Sequence, residues 1–186
     1  MPDNPKRFHR RSIRFNGYDY SSPGAYFITI VTWHRVNLFG VVVDGEMRVN
    51  SIGTIAKDEW FRTINLRPSV HLFLDEMVVM PNHIHGIIWI VEPDMENGKG
   101  AASLRPYKPN DNPTPNVSPN SLGAIVRAYK SAVTYRINTI RKSRGMHIWQ
   151  RNYYEHIIRD QSELEDCVKY IYANTGNWVD DPEYIQ

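Results

Sequence analysis

The sequence is poor in cysteine, in long apolar runs and in net charge, and each shortage excludes a class of protein. Cys167 is the single cysteine among 186 residues, which excludes an internal disulfide and a cysteine-rich zinc site. No apolar run approaches the roughly 20 residues of a membrane span, and no signal-peptide segment follows the basic N-terminus. With 41% hydrophobic residues, we expect one globular domain, residues 1–186, in a reducing cytoplasm and not in a membrane.

The small net charge of +2 hides an uneven distribution of basic and acidic residues. Residues 1–20 and 121–160 are rich in lysine and arginine, whereas acidic residues gather between Asp160 and Glu183. Basic clusters of this kind are the electrostatic footprint of a polyanion partner. Solvated helix faces produce similar counts, so the charge pattern alone leaves both interpretations open.

The spacing of apolar residues predicts an α+β domain. The predicted elements are a strand at 25–33, a hairpin turning at Asp44–Gly45, a helix from 51 to about 65, strands at 71–80 and 83–91, a helix from about 121, a strand within 149–159, and a last helix opened by a Ser162/Glu165 capping box. This order suits a ferredoxin-like (RRM-like) sandwich, an antiparallel sheet with helices on one face. The hairpin is an insertion, and the C-terminal helix is an addition. Residues 92–120, rich in Pro, Asn, Gly and Ser, predict a long mobile loop that is either a linker or a functional flap.

The stretch MPNHIHGIIWI, residues 80–90, places His83 and His85 two apart within an apparently buried strand. Side chains alternate along a strand, so both imidazoles point to the same face. They can share a metal ion, or they can be satisfied structural histidines, and only a partner elsewhere in the chain decides. In the last helix, Tyr170 and Asn174 are four residues apart and lie on one face. That tyrosine either reaches over the sheet or packs as an ordinary helix-edge residue.

Five segments carry a resemblance to a known family: GYDYSSPGAYFITIVT, PNHIHGII, YKSAVTYRIN, IWQRNYYEHIIRD and KYIYAN. In this order they resemble the REP-associated tyrosine transposases, members of the single-tyrosine HUH class that acts on single-stranded DNA. The resemblance extends over nearly the whole chain. One departure is that family members often continue Asn-Pro where this chain has Thr175–Gly176 after Asn174.

The resemblance implies a metal-dependent transposase or endonuclease. His83 and His85 would bind the metal, Asn174 would be its third ligand, and Tyr170 on the C-terminal helix would be the nucleophile. The ion would be Mg²⁺ or Mn²⁺. The reaction would cleave and rejoin single-stranded DNA, with hairpin-containing repeats as substrate, through a 5′-phosphotyrosine intermediate. The protein would act as a monomer or a homodimer.

The predicted DNA contacts are basic and directed mainly at phosphates. They comprise an N-terminal arm, the helix beginning near residue 121 and the start of the last strand: Arg10, Arg11, Arg14, Arg127, Lys130 and Arg151. Plain solvation accounts equally well for Arg127 and Lys130.

Other interpretations of the same residues remain to be weighed. Tyr153 and Tyr154 are competing nucleophiles, although a strand tyrosine lacks an amide ligand four residues later. A histidine-triad hydrolase would require a third histidine where this chain has Ile87. The main alternative function is a non-catalytic or domesticated protein that binds chromosomal hairpins, since ferredoxin-like sheets also serve as nucleic-acid-binding modules.

Overall fold

The structure is a computed structural model that describes residues 17–92 and 118–185. Within these ranges it confirms the predicted α+β class and antiparallel sheet. The strands and helices, in chain order, are β1 (Gly24–Val31), β2 (Gly40–Val43), β3 (Glu46–Val49), α1 (Ser51–Leu66), β4 (Val70–His71), β5 (Met77–Val79), β6 (His83–Ile90), α2 (Leu122–Arg141), β7 (Tyr154–Ile158) and α3 (Gln161–Ala173).

The main sheet is antiparallel and has the strand order β4-β6-β1-β7. Strand β4 pairs with the C-terminal end of β6, and β5 pairs with its N-terminal half. Strand β6 pairs with β1 along its whole length, so that Val31 lies opposite His83 and Thr29 opposite His85. Strands β2 and β3 form a separate hairpin. Its turn residues, Asp44 and Gly45, both have positive φ, as a two-residue hairpin turn requires.

The two faces of the main sheet carry different hydrophobic clusters. Alternate residues of β1 and β6, including Ile28 and Ile84, pack with α1 and α2 in the larger cluster. The residues between them, including Phe27 and Ile87, pack against α3 in a smaller cluster. Helices α1 and α2 therefore cover one face, and α3 covers the other.

Capping residues fix where the helices begin. The side chain of Asn50 accepts hydrogen bonds from the backbone N–H groups of Ile52 and Gly53 at the start of α1. Ser121 caps α2 in the same way. The apolar residues that recur every four positions along α2 predict one inward stripe, and the structure confirms it, because Ile125, Tyr129, Val133 and Ile137 are all buried.

The predicted strand at 71–80 is wrong in its middle. A 3-10 turn at Leu74–Glu76 separates β4 from β5. The turn brings the buried Glu76 carboxylate inward, where it accepts a hydrogen bond of 2.6 Å from the indole N–H of Trp89. This hydrogen bond offsets the cost of removing the acidic group from water.

The predicted capping box is also wrong, by two residues. Helix α3 begins at Gln161, and Asp160 is its N-cap, accepting from the backbone N–H of Glu163. The Glu163 carboxylate in turn accepts from the backbone N–H of Arg159. Asp160 and Glu163 cap the helix in place of Ser162 and Glu165. Strand β7 ends at Ile158, so Asp160 has the extended backbone that an N-cap residue requires.

Several predictions fall on residues outside the described ranges. Residues 1–16, with Arg10, Arg11 and Arg14, lie there, as do residues 93–117 of the predicted loop. Among the helices in the described part of the chain, none is long and apolar enough to cross a membrane.

Candidate active site

The two histidines of β6 meet on the face covered by α3. His83 and His85 are both buried, and their Nε2 atoms lie 2.9 Å apart. Strand alternation directs the two rings to one side, as the sequence predicted. The structure therefore holds two imidazole nitrogens within reach of a single ion.

The neighbours of His83 fix its tautomer. The side-chain NH₂ of Asn82 donates to the carbonyl oxygens of Arg35 and Glu183, so its Oδ1 atom must face His83 as an acceptor. The Nδ1–H of His83 donates to that oxygen over 2.8 Å. The Nε2 lone pair of a neutral His83 is consequently left for the site.

His85 is oriented by Thr29 of the neighbouring strand. The Thr29 hydroxyl lies 2.8 Å from the Nδ1 atom of His85. A hydroxyl can donate or accept, so His85 can carry its proton on either nitrogen. Without an ion, the Nε2–H of His85 donates to His83; with an ion, the proton can move to the Thr29 side.

Helix α3 brings Tyr170 and Asn174 to the same place. The Tyr170 hydroxyl is 3.4 Å from His85 Nε2, and the two rings meet edge to face at 5.0 Å. Asn174, at the C-terminus of α3, is buried. Its NH₂ group donates to Asp181 over 3.2 Å. The structure thus brings together the four residues that the sequence proposed for metal and nucleophile, while their chemical roles remain predictions.

Asp181 is a member of the cluster that sequence reasoning missed. Its Oδ2 atom lies 3.9 Å from His83 Nε2 and 4.0 Å from His85 Nε2, and it accepts from the Tyr170 hydroxyl over 3.4 Å. The side chain of Asp181 is only 3% exposed. The residue following Pro182 anchors the segment, because Glu183 forms an ion pair of 2.7 Å with Arg35.

Burial and charge set the protonation of the cluster. Burial lowers the pKa of His83 well below its ordinary value, the neighbouring His85 lowers it further, and Asp181 opposes both effects. Burial raises the pKa of the Tyr170 phenol, and the charge of Asp181 adds to this rise. Burial also works to raise the pKa of Asp181, but His85, His83 and the backbone N–H of Glu183 outweigh it and lower the pKa to about 2. At neutral pH, a protonated phenol therefore faces a carboxylate and a neutral His83.

The donor set fits a divalent ion. Two cis ligands of an octahedral ion with bonds of about 2.1 Å stand roughly 3.0 Å apart, close to the 2.9 Å between the two Nε2 atoms. The Asp181 Oδ2 atom lies 3.9–4.0 Å from both nitrogens, less than the roughly 4.2 Å that such an ion and two of its ligands span, so one ion can reach all three atoms. His83, His85 and Asp181 form a cluster that can hold a metal ion.

An orphaned oxygen adds to this fit. The Oδ1 atom of Asn174 is buried and has no hydrogen-bond partner among the described residues. An unpaired buried acceptor is destabilising, and a cation would satisfy it. This is the atom that the family resemblance names as the third ligand, so the structure offers Asp181 in addition to that ligand set.

The competing candidates have other neighbours. Tyr154 is on the same sheet face, where its ring meets Phe27 edge to face at 6.4 Å, and burial raises its pKa to about 12. Tyr153 packs against the larger hydrophobic cluster on the opposite face. His156 pairs with Glu163 at 3.3 Å.

The basic residues in the described ranges differ in their surroundings. Arg127 and Arg151 are exposed. The ammonium of Lys130 instead donates to the carbonyl oxygens of Gln150 and Arg151, at 2.6 and 3.1 Å. Burial lowers the pKa of Lys130 to about 8. Lys130 thus holds the chain leading to β7 in place, and its predicted phosphate contact is untested.

Three residues of the site carried different amounts of signal in the sequence. Asn82 directly precedes His83 in the sequence, so the sequence alone shows that the two residues are neighbours. Thr29 becomes a partner of His85 only through the register of β1 against β6. Asp181 stands in an Asp-Asp-Pro stretch 11 residues after Tyr170, and only the return of the chain over the sheet brings it there.

Comparison with known proteins places the chain in a family. No protein-family model matches it. An uncharacterised protein of Haemophilus influenzae is 39% identical over 178 residues, which make up 95% of this chain and 94% of the relative. The chain belongs to the same family as this Haemophilus protein. The match runs over the whole domain, so family membership does not depend on the histidine motif alone.

A solved structure identifies the fold of this family. The REP-associated tyrosine transposase bound to a REP hairpin superposes with a TM-score of 0.57 and 19% identity, covering 91% of this chain and 73% of that chain. The resemblance found in the sequence is thereby confirmed at the level of the fold. A candidate transposase from Deinococcus radiodurans aligns with a TM-score of 0.45 and 17% identity, over 84% of this chain and 94% of that chain, and is too distant to support an inference.

Proposed function

We propose that this protein is a single-tyrosine transposase or endonuclease that cleaves and rejoins single-stranded DNA carrying hairpins. One observation carries the proposal: the Tyr170 hydroxyl lies 3.4 Å from His85 Nε2 and 3.4 Å from Asp181 Oδ2, inside a cluster of metal-ligating groups. The resemblance in sequence and the shared fold point to the same class. A tyrosine packed only for stability would not require two buried polar groups beside its hydroxyl.

The chemical step follows from this arrangement. The Tyr170 oxygen attacks the scissile phosphorus, the bond between phosphorus and the 3′ oxygen breaks, and a 5′-phosphotyrosine and a 3′-hydroxyl result. Because the phenol is protonated at neutral pH, its proton must leave during attack, and the carboxylate of Asp181 is in place to accept it. The departing 3′ oxygen takes up a proton from water, and Asp181 releases the proton of the phenol to water. Reversal of the step by a different 3′-hydroxyl joins a new strand.

The histidines and Asn174 prepare the site for the negatively charged phosphate. His83, His85 and the Asn174 oxygen would hold a divalent ion, Mg²⁺ or Mn²⁺, which would supply positive charge to the scissile phosphate, while Asp181 serves as the proton acceptor. Asn82 and Thr29 orient the two rings by their hydrogen bonds. Phe27 packs against the rings of His85 and Tyr170, at 5.4 and 5.9 Å, and holds the phenol over the sheet.

The DNA would be held mainly through its phosphates. Arg127 and Arg151 are exposed and are proposed to contact the DNA backbone, and Arg10, Arg11 and Arg14 are proposed to do so from the N-terminal arm. Affinity for a hairpin with unpaired flanks should therefore fall steeply with salt. We propose that all of these residues act within one domain.

The nucleophile can be tested with one substitution and a matched control. Incubation with 3′-labelled single-stranded hairpin substrate and Mn²⁺ should give a covalent adduct that survives denaturing electrophoresis. Tyr170→Phe removes only the hydroxyl, so the adduct should disappear while DNA binding persists. Tyr154→Phe, in β7 on the same sheet face, should keep the adduct.

Each other outcome decides against part of the proposal. An adduct that persists in Tyr170→Phe and is lost in Tyr154→Phe would show that the nucleophile is assigned to the wrong tyrosine. If the wild type binds hairpins but never forms an adduct, the protein is a non-catalytic hairpin-binding protein.

A further inference from the structure

One tryptophan is exposed and has no role in the candidate active site. Of the five tryptophans, four are at most 8% exposed, whereas Trp33 is 41% exposed. Two further rings surround it: His34 at 4.7 Å and His147 at 5.1 Å between ring centroids. We call Trp33, His34 and His147 the Trp33 platform.

The Trp33 platform is held firmly by the backbone. The N–H of Trp33 donates to the carbonyl of Ile148 over 2.8 Å, and a β-bridge joins Thr32 to Trp149. His34 and the following Arg35 have φ values of 53° and 56°. Two successive non-glycine residues in the left-handed region are uncommon, and such conformations cluster at binding sites.

The Trp33 platform adjoins the histidine pair. The N–H of Thr32, the residue before Trp33, donates to the carbonyl of Asn82, the residue before His83. On its other side, Arg35 is tied to Glu183, two residues after Asp181. The loop that carries Trp33 is therefore bonded directly to the strand that carries the histidine pair and to the segment that carries Asp181.

The charge around the Trp33 platform favours a nucleic acid. Residues 141–152, which supply His147, contain four basic side chains and no acidic one, and all four are exposed: Arg141, Lys142, Arg144 and Arg151. Residues 32–43 likewise contain no acidic residue. The carboxylate of Glu183 contacts residues 32–43 through its ion pair with Arg35, so its negative charge is balanced there. Exposed rings set among basic side chains are the combination that binds single strands, by stacking on bases and attracting phosphates.

From these observations we infer that the Trp33 platform stacks on an unpaired nucleobase next to the cut in single-stranded DNA. The inference rests on the proposed function, and it adds a residue that holds the flank of the substrate. Stacking requires an unpaired base, so the Trp33 platform should distinguish a hairpin with a single-stranded flank from a blunt hairpin.

The test uses full-length Tyr170→Phe protein, which cannot cleave, and fluorescently labelled hairpins with and without an unpaired flank. Trp33→Ala should weaken binding of the flanked hairpin about tenfold and leave the blunt hairpin unaffected. Trp33→Phe keeps a stacking ring and should stay near the parent affinity. Phe73→Ala, at the far end of β6 and similarly exposed at 45%, is the matched control and should change nothing.

Salt separates stacking from phosphate contacts. The loss caused by Trp33→Ala should have the same size at low and high salt, whereas the loss caused by Arg151→Ala should shrink as salt rises. Intrinsic tryptophan fluorescence should be quenched by the flanked hairpin in the parent protein, and this quenching should vanish in Trp33→Phe.

The opposing results are distinct. If the parent protein prefers the flanked hairpin and Trp33→Ala retains that preference, the stacking role is overturned while the proposed function stands. If Trp33→Ala instead alters the sedimentation of the DNA-free protein and not its DNA affinity, the surface is a protein interface and the inference fails. A parent protein that binds flanked hairpin no better than blunt duplex would overturn both proposals.

Discussion

The two faces of strand β6 differ in chemistry although their residues alternate along one strand. Towards α1 and α2, the strand presents Ile84, Gly86, Ile88 and Ile90 to the larger hydrophobic cluster. Towards α3, it presents His83 and His85 at one end and Ile87 and Trp89 at the other. One face is apolar throughout, whereas the other changes from polar to apolar within four residues.

This difference separates stability from chemistry on a single element. The apolar face removes hydrocarbon from water and stabilises the sheet. The α3 face keeps buried polar groups that stabilise only when they are paired, and Asn82, Thr29 and Asp181 supply the partners. Substitutions of adjacent residues in β6 should therefore differ in effect, one lowering adduct formation and the other lowering stability. Four experiments test this difference between the two faces.

The largest effect is expected for His85→Ala. Loss of one imidazole should lower adduct formation by more than about 100-fold. Removing a residue that only hydrogen-bonds to a metal ligand typically lowers activity by about 10- to 100-fold, and loss of the ligand itself should cost more. Mn²⁺ should raise the melting temperature of the wild type and not of the variant, because only a protein that binds the ion is stabilised by it. His156→Ala, a histidine on the same sheet face that pairs with Glu163, is the control and should keep both responses.

The adjacent substitution Ile84→Ala should act on stability instead. Ile84 is fully buried, so removing its side chain leaves a cavity and should lower the free energy of unfolding by about 2–5 kcal/mol. Chemical denaturation measures this loss. Ile140→Ala, at a residue 64% exposed, should change stability by less than about 0.5 kcal/mol. Separation of the faces fails if the folded Ile84→Ala protein loses adduct formation as fully as His85→Ala.

A third substitution probes the close packing of the apolar face. A Cβ atom on Gly86 would lie 2.5 Å from the ring of Trp60, which is itself buried. Gly86→Ala should therefore lower the free energy of unfolding by about 1–3 kcal/mol, despite the better strand propensity of alanine. At Gly176 an added Cβ meets nothing closer than 3.7 Å, so Gly176→Ala should leave the melting temperature unchanged. Equal melting temperatures for both variants would show that Trp60 moves freely.

The smallest effect is a pH dependence on the α2 side of the sheet. Lys130 has a folded-state pKa of about 8, below the unfolded value of 10.5, because burial disfavours its charge. Between these values the unfolded chain binds the proton and the folded chain does not, so stability rises with pH from about 8 to 10.5. Discounted for partial exposure, the gain is about 1 kcal/mol, or roughly 2–4 °C in melting temperature.

Lys130→Met isolates that contribution. The difference in melting temperature between wild type and variant should widen in favour of the wild type as pH rises from 8 to 10. A difference that stays constant over this interval would mean that Lys130 keeps its ordinary pKa.

Local patterns predicted most of the elements and failed where a distant partner intervened. The stripe of α2 and the turn at Asp44–Gly45 depend on periodicity and on backbone conformation, which neighbouring residues set. The predicted strand at 71–80 is interrupted by a 3-10 turn, in which Glu76 accepts a hydrogen bond from Trp89, 13 residues away in the chain. Helix α3 begins at Gln161, with Asp160 as its N-cap, because the pairing of β7 with β1 ends at Ile158.

The sequence by itself determined the spacing of His83 and His85 and of Tyr170 and Asn174, because the periods of strand and helix place each pair on one face. It also determined the alternation of isoleucine and histidine that gives β6 its two faces. Only the tertiary structure decided that these pairs meet, that Thr29 lies opposite His85, and that Asp181 closes the cluster. The reason is physical: repeat spacing is local, whereas strand register and the return of the C-terminal segment arise from packing between residues far apart in the chain.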